Sequence, residues 1–284
     1  MGKIKTFCLM AGLMLIFMYV GNLFGGVQGM KTAFIISLAL NFYSYFFSDK
    51  LVLKHYKAQE VNKNNAPMLY QIVENLSQKA NLPMPKVYIV PDDVPNAFAT
   101  GRNPKHAAVA ATQGLLNLLD ENEIEGVLAH ELSHVKHYDI LTGSIAAVFA
   151  GAIAMISNMA RYNVSSRNNN SNNRSNGLFA VLAVVLLPIA ASVIRFGVSR
   201  TREYEADEGA ANLTQKPQYL ASALAKLEGY AKNYSLNKAT SETAHMFIIN
   251  PFSAQKADFS SLFSTHPSTA DRIRRLKALE DKYQ

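Results

Sequence analysis

Four stretches of this chain are almost wholly apolar, and the polar sequence between them keeps a different rhythm. Residues 6–24 carry no charge over about 19 positions, enough to cross the hydrocarbon of a bilayer as a helix. A second uncharged run, residues 32–48, follows after a short Gly-rich turn, so the pair predicts a helical hairpin. A cleavable leader is the competing reading; the first apolar run outlasts an ordinary leader, and the second follows at once. Residues 140–160 and 177–194 form the third and fourth runs and predict a second hairpin, about four spans in all. For that pair the alternative is two buried helices of a soluble core, because the runs contain Ser and Asn and are only just long enough. The 161–176 connection is rich in Asn and Ser, has three Arg and no acid, and reads as a flexible polar loop.

The remaining sequence has the periodicities of a folded α+β unit. Leu69, Ile72, Val73 and Leu76 recur at helical spacing within 66–80, which closes before Pro83. Residues 86–90 are a β-branched strand stopped by Pro91, Asp92 and Asp93, whereas 96–101 look small and turn-like. Residues 107–111 predict a second strand, an apolar edge along which an extended peptide could add. Asp120 is a fitting N-cap, with Glu121 and Glu123 in the first turn of a helix whose apolar face is Ile124, Val127, Leu128, Leu132 and Val135. An amphipathic helix is expected over 219–234. A last helix after Ser268 has Asp271 completing a capping box and Ile273, Leu276 and Leu279 on its inner face. The chain thus divides into a transmembrane hairpin (1–48), a first polar part (49–139), a second apolar hairpin (140–198) and a second polar part (199–284). The predicted fold class is α+β, mainly helical, with a small sheet.

Composition narrows this picture. An apolar fraction of 49% with a mean hydropathy near zero fits spans joined to a polar unit. The net charge of +7 suggests nucleic acid, but the Lys and Arg are dispersed and flank the apolar runs, so no nucleic-acid partner is expected. Lys3 and Lys5 precede the first hairpin, and Lys50, Lys54 and Lys57 follow it. Both ends therefore belong on the cytoplasmic side of the lipid bilayer. Cys8 is the single cysteine and lies in an apolar run, which excludes a disulfide framework and a thiolate metal site.

The chemistry concentrates in His130-Glu131-Leu132-Ser133-His134. On a helix the two imidazoles lie one turn apart on one face and can grip one Zn²⁺, with Glu131 beside them as general base for a water on the metal. Such a site needs a third protein ligand, and Glu203, Glu205, Asp207, His245 and His266 are the candidates by residue type. His134 stands shortly before the second hairpin and Glu203 shortly after it, so both are expected at the same membrane face. Asp207 follows Glu203 at i+4 and could support a ligand from behind. The competing reading makes Glu203 a charge answering Arg200 or Arg202. His137, at i+7 from His130, does not converge on the ion.

H-E-L-S-H, Asp139, an apolar hairpin and then S-R-T-R-E-Y-E-A-D together resemble the HtpX family, membrane-bound bacterial zinc endopeptidases related to the CAAX prenyl proteases. The likeness extends to N-A-F-A-T-G at 96–101, G-L-L at 114–116, N-P-F at 250–252 and T-H-P at 265–267. The resemblance implies a zincin-like fold, His130, His134 and Glu203 as zinc ligands, Glu131 as base, Asp207 in support and His266 stabilising the transition state. It also implies a place in the bacterial inner membrane and a stress-response role in clearing damaged membrane proteins. The Asn/Ser-rich 161–176 loop is the main departure and does not touch the site residues. Two other classes stay open: an intramembrane zinc protease, and a non-enzymatic membrane scaffold with a vestigial site.

Overall fold

The computed structural model describes residues 2–146, 148–149, 200–233 and 267–283. Helix α1 (Gly2–His55) breaks at Gly25 and Gly26, where φ turns positive at Gly26, and folds back on itself. The two arms touch backbone to backbone: a Cβ on Gly21 would lie 2.6 Å from the Gly29 carbonyl oxygen. The Asn41 side-chain amide donates to the Met10 carbonyl across the arms (3.3 Å), satisfying a polar group that apolar surroundings would otherwise strand. This is the expected hairpin, although its second arm runs on past residue 48 to His55. Among the described residues, one helix is long and apolar enough to cross a membrane, and its qualifying window is Thr6–Leu23. Apart from Met68, Met84 and Tyr138, every exposed large apolar side chain among the described residues lies on α1. An apolar surface of that extent marks contact with lipid or another chain. Leu9 and Leu13 of α1 also pack on Leu141, Ile145 and Phe149, and Thr6 Oγ1 bonds Thr142 Oγ1 at 2.7 Å. The start of the third apolar run therefore lies against the first hairpin. Most of the third run, the fourth run and the 161–176 loop fall outside the described residues.

The polar unit is mainly helical with one small mixed sheet, in agreement with the expected class. Its strands are β1 (Gln59–Val61), β2 (Lys86–Val90), β3 (Ala97–Gly101) and β4 (Ala107–Thr112), in the order β1-β2-β4-β3. Strand β4 runs parallel to β2 and antiparallel to β3. It was expected to be an open edge, but it is interior: Ala107, Val109 and Ala111 face one core, while Ala108 and Ala110 face another with Val52, Leu53 and Phe98. A strand buried on both faces reads as a continuous apolar run, and that misplaced it at the rim. The edge beside the site is β3, the segment expected to be a turn; its Ala, Thr and Gly content hides the strand period, and pairing with β4 decides its conformation.

Helix α2 (Pro67–Lys79) and the short α3 (Gln113–Leu118) lead to α4 (Glu121–Lys136), the central helix. A full capping box starts α4: Asp120 Oδ1 accepts from the Glu123 amide (3.0 Å) and Glu123 Oε2 from the Asp120 amide (2.9 Å). The Glu123 carboxylate also accepts from Ser222 Oγ (2.6 Å) and Lys226 Nζ (2.7 Å), which tie α4 to α6 (Pro217–Asn233). Helix α5 (Arg200–Thr214) packs on both, most extensively on α4, and α7 (Thr269–Ala278) packs against α5 and α6. Gly209 permits the close crossing of α5 on α4, since a Cβ there would lie 2.9 Å from Ser133 Cβ and closer still to its hydroxyl. That crossing brings residues distant in sequence to one point.

Candidate active site

Helix α4 presents His130 and His134 one turn apart, with their Nε2 atoms 3.3 Å from each other. Helix α5 delivers Glu203 opposite them, Oε1 lying 3.5 Å from His134 Nε2 and Oε2 3.7 Å from His130 Nε2. Four ligands placed tetrahedrally at about 2.0–2.2 Å from a common centre are separated by roughly 3.3–3.6 Å. Glu203 turns a different oxygen to each imidazole, one ligand atom from each of the three residues lies within 4.8 Å of the others, and their His, His, Glu chemistry fits zinc with one position left open. Glu203 is 4% exposed, too enclosed to be a surface charge answering Arg200. Arg202 pairs instead with Asp139, Nη1 to Oδ1 at 2.7 Å.

Each imidazole has a carboxylate behind it. His130 Nδ1 lies 3.0 Å from Asp207 Oδ1, and His134 Nδ1 lies 3.5 Å from Asp139 Oδ2. A carboxylate at hydrogen-bonding distance, as Asp207 is, holds the far nitrogen and turns Nε2 toward a metal, whereas Asp139 stands at ion-pair distance from His134. Asp139 reaches His134 because α4 ends on Tyr138 in the left-handed region (φ 62), which folds the chain back and lets the Asp139 amide donate to the His134 carbonyl (3.0 Å). Burial disfavours the imidazolium of His134, but Asp139, Glu203 and Glu131 outweigh it and push that ring up to about 9. A pocket this rich in carboxylates calls for positive charge at its centre.

Glu131 is buried between α4 and β3, where its Oε2 accepts from the Ala99 amide at 2.9 Å. Burial pushes its carboxyl above the usual range, against the pull of the two imidazoles and that amide. The hydrogen bond aims the carboxylate along the edge strand, beside the His–His–Glu cluster.

One residue with no place in the sequence reading completes the cluster. Arg272 of α7 is 1% exposed and grips Asp207 with two bonds, Nε to Oδ2 at 2.9 Å and Nη2 to Oδ1 at 2.7 Å. Its Nη1 comes within 3.9 Å of Glu203 Oε2. Burial raises the Asp207 carboxyl, but the Arg272 and His130 contacts outweigh it and hold the group below the ordinary carboxylate range. Burial likewise works against the charge of Arg272, and Asp207 more than restores it. A signal was available: Arg272 precedes Leu276 by four residues and so shares the buried face of the last helix. Glu205, His137, His55 and His106 are exposed and take no part, whereas His245 and His266 lie outside the described residues.

Residues 63–280 match the model of peptidase family M48. A "Protease HtpX homolog" of Campylobacter hominis is 61% identical over 280 residues, covering 99% of each chain. That of Campylobacter curvus is 60% identical, covering 97% of this chain and 96% of its own, and that of a Sulfurovum species is 51% identical over 99% and 100%. Among solved structures, S. mikatae Ste24p superposes with a TM-score of 0.52 at 17% identity, over 96% of this chain and 65% of its own, a likeness of fold. The match over most of the chain and these near full-length relatives agree with the geometry, and the chain belongs to peptidase family M48.

Proposed function

We propose that this metalloprotease is a zinc-dependent endopeptidase of the bacterial inner membrane. It hydrolyses peptide bonds of misfolded or damaged membrane proteins at the cytoplasmic face. The observation that carries the reading is the convergence of His130, His134 and Glu203 on one point, with Glu131 fixed beside them. These three residues would hold zinc, which when bound would bring the pKa of a water ligand to about 7 and polarise a scissile carbonyl. Glu131 takes the proton of the attacking water and passes it to the leaving amine. Asp207 and Asp139 hold the two imidazoles, and Arg272 holds Asp207. His266 is assigned to stabilising the transition state, on the strength of the T-H-P motif.

The extended substrate adds along β3, whose far side has no strand partner among the described residues. Main-chain hydrogen bonds to an edge select little for side chains, which suits clearance of damaged proteins of varied sequence. Four spans, with the 161–176 loop outside and both catalytic parts inside, complete the topology. An intramembrane site is disfavoured because α4 carries Glu121, Glu123, Glu125 and Lys136, each expensive at mid-membrane. A vestigial scaffold would have no need to keep a base and ligand cage in register.

The detergent-purified chain should hydrolyse casein, and Glu131→Gln should lose about 10²–10⁴ in rate while keeping zinc. Casein cleavage by Glu131→Gln at the wild-type rate would overturn the assignment. A reporter fused within 165–172 should read as external; a cytoplasmic signal there would remove the four-span topology.

A further inference from the structure

Where α1 meets the polar unit there is a cavity of about 770 Å³ that the proteolytic reading does not use. Its polar wall holds Arg102, Lys105 and Lys136 and contains no Asp or Glu, and its apolar wall includes Phe7, Met10 and Leu141. None of the three cations has a carboxylate within ion-pair distance among the described residues; Arg102 instead lies over the Phe46 ring, 5.5 Å from its centroid. We propose that this cavity binds an anionic phospholipid, its phosphate among the three cations and the first methylenes of an acyl chain along Phe7, Met10 and Leu141. The proposal rests on the reading of α1 as embedded in the membrane.

Three observations point to that occupant. Thr6 and Phe7 open the apolar window of α1, and Tyr45 stands toward the end of its second arm, so the cavity lies at the depth where hydrocarbon gives way to headgroups. Its volume falls within the range of ordinary small-ligand pockets, about 300–1,000 Å³. The charge pattern excludes simpler occupants: inorganic phosphate would leave the apolar wall unused, and a zwitterionic lipid would bring a cation of its own to three uncompensated ones. The position also has a consequence. Lys136 ends α4 two residues after His134, and Arg102 directly follows Gly101, the last residue of β3. A bound lipid therefore touches the ends of both elements that present the site.

The test uses the full-length chain in a neutral detergent, with lipid adducts read by native mass spectrometry. Dihexanoyl phosphatidylglycerol should be retained at least tenfold better than dihexanoyl phosphatidylcholine or inorganic phosphate. Lys136→Gln should weaken it about fivefold, as should Arg102→Gln or Lys105→Gln, with the triple variant weaker still. The single variants keep the test open if the triple variant does not fold, and an unchanged melting curve shows that each is intact. Equal retention of the two lipids, phosphate bound as well as phosphatidylglycerol, or variants that bind like wild type would each overturn the site. Carbonate extraction of cell membranes reads the underlying premise separately. A chain released by carbonate removes the membrane reading, whereas lost lipid selectivity in a chain that stays in the pellet removes only this site.

Discussion

Replacing Arg272 by Met isolates the energetic centre of the cluster. The guanidinium makes two bonds to Asp207, at 2.9 and 2.7 Å, and both side chains are almost wholly shielded from water. Met keeps most of the volume and leaves the Asp207 carboxylate buried without its cation. Removing one partner of a buried pair costs about 3–5 kcal/mol, most of it the stranded charge. For a unit of this size each kcal/mol moves Tm by about 2–4 °C, so Arg272→Met should melt about 6–20 °C below wild type. Asp207 would also cease to hold His130 in place, and loss of such support typically costs about 10–100-fold in metal affinity. Circular dichroism melting in detergent measures the first quantity, and competition with a chelator of known zinc affinity measures the second. Adding Asp207→Asn removes the stranded charge, so the double variant should regain most of the lost Tm while zinc binding stays weak. Arg272→Lys should fall between, because an ammonium cannot reproduce the two-pronged grip. An Arg272→Met protein melting within about 2 °C of wild type would show that the buried pair contributes little to stability.

Chelation should abolish casein hydrolysis and added zinc should restore it; activity that survives exhaustive chelation would contradict a metal mechanism. Gly209→Ala drives a methyl into Ser133 at the crossing of α4 and α5 and should destabilise by about 1–3 kcal/mol, as overpacking does. Ser133→Gly should relieve it, and a Gly209→Ala chain as stable as wild type would show that the helices can part. Ala99→Pro removes the amide that binds Glu131 and should lower kcat more than zinc content; equal loss of both would mean that the change only unfolds β3.

Much of the site was legible because its parts are local or chemically restricted. A helix period alone puts His130 and His134 on one face, and no residue other than a polar ligand can complete a zinc cage. The capped start of α4 could likewise be read from Asp120 and Glu123. The difficulties arose where tertiary context decides. Strand β3 is a strand because β4 pairs with it, and β4 is interior because apolar surfaces meet both its faces. Arg272 carries little local signal because a charge on a helix face is ordinarily solvated, and only its meeting with Asp207, 65 residues away, makes it a core residue. Asp139 stood in view as a motif residue, yet its approach to His134 depends on a left-handed turn at Tyr138 that the sequence does not announce.

X-ray absorption at the zinc edge of the full-length chain in detergent reads the ligand cage itself. One zinc per chain is expected, with two imidazole nitrogens and oxygen ligands at about 2.0–2.2 Å, and it should be lost in Glu203→Ala. Sulfur in the shell, or a Glu203→Ala chain that holds zinc as wild type does, would contradict it.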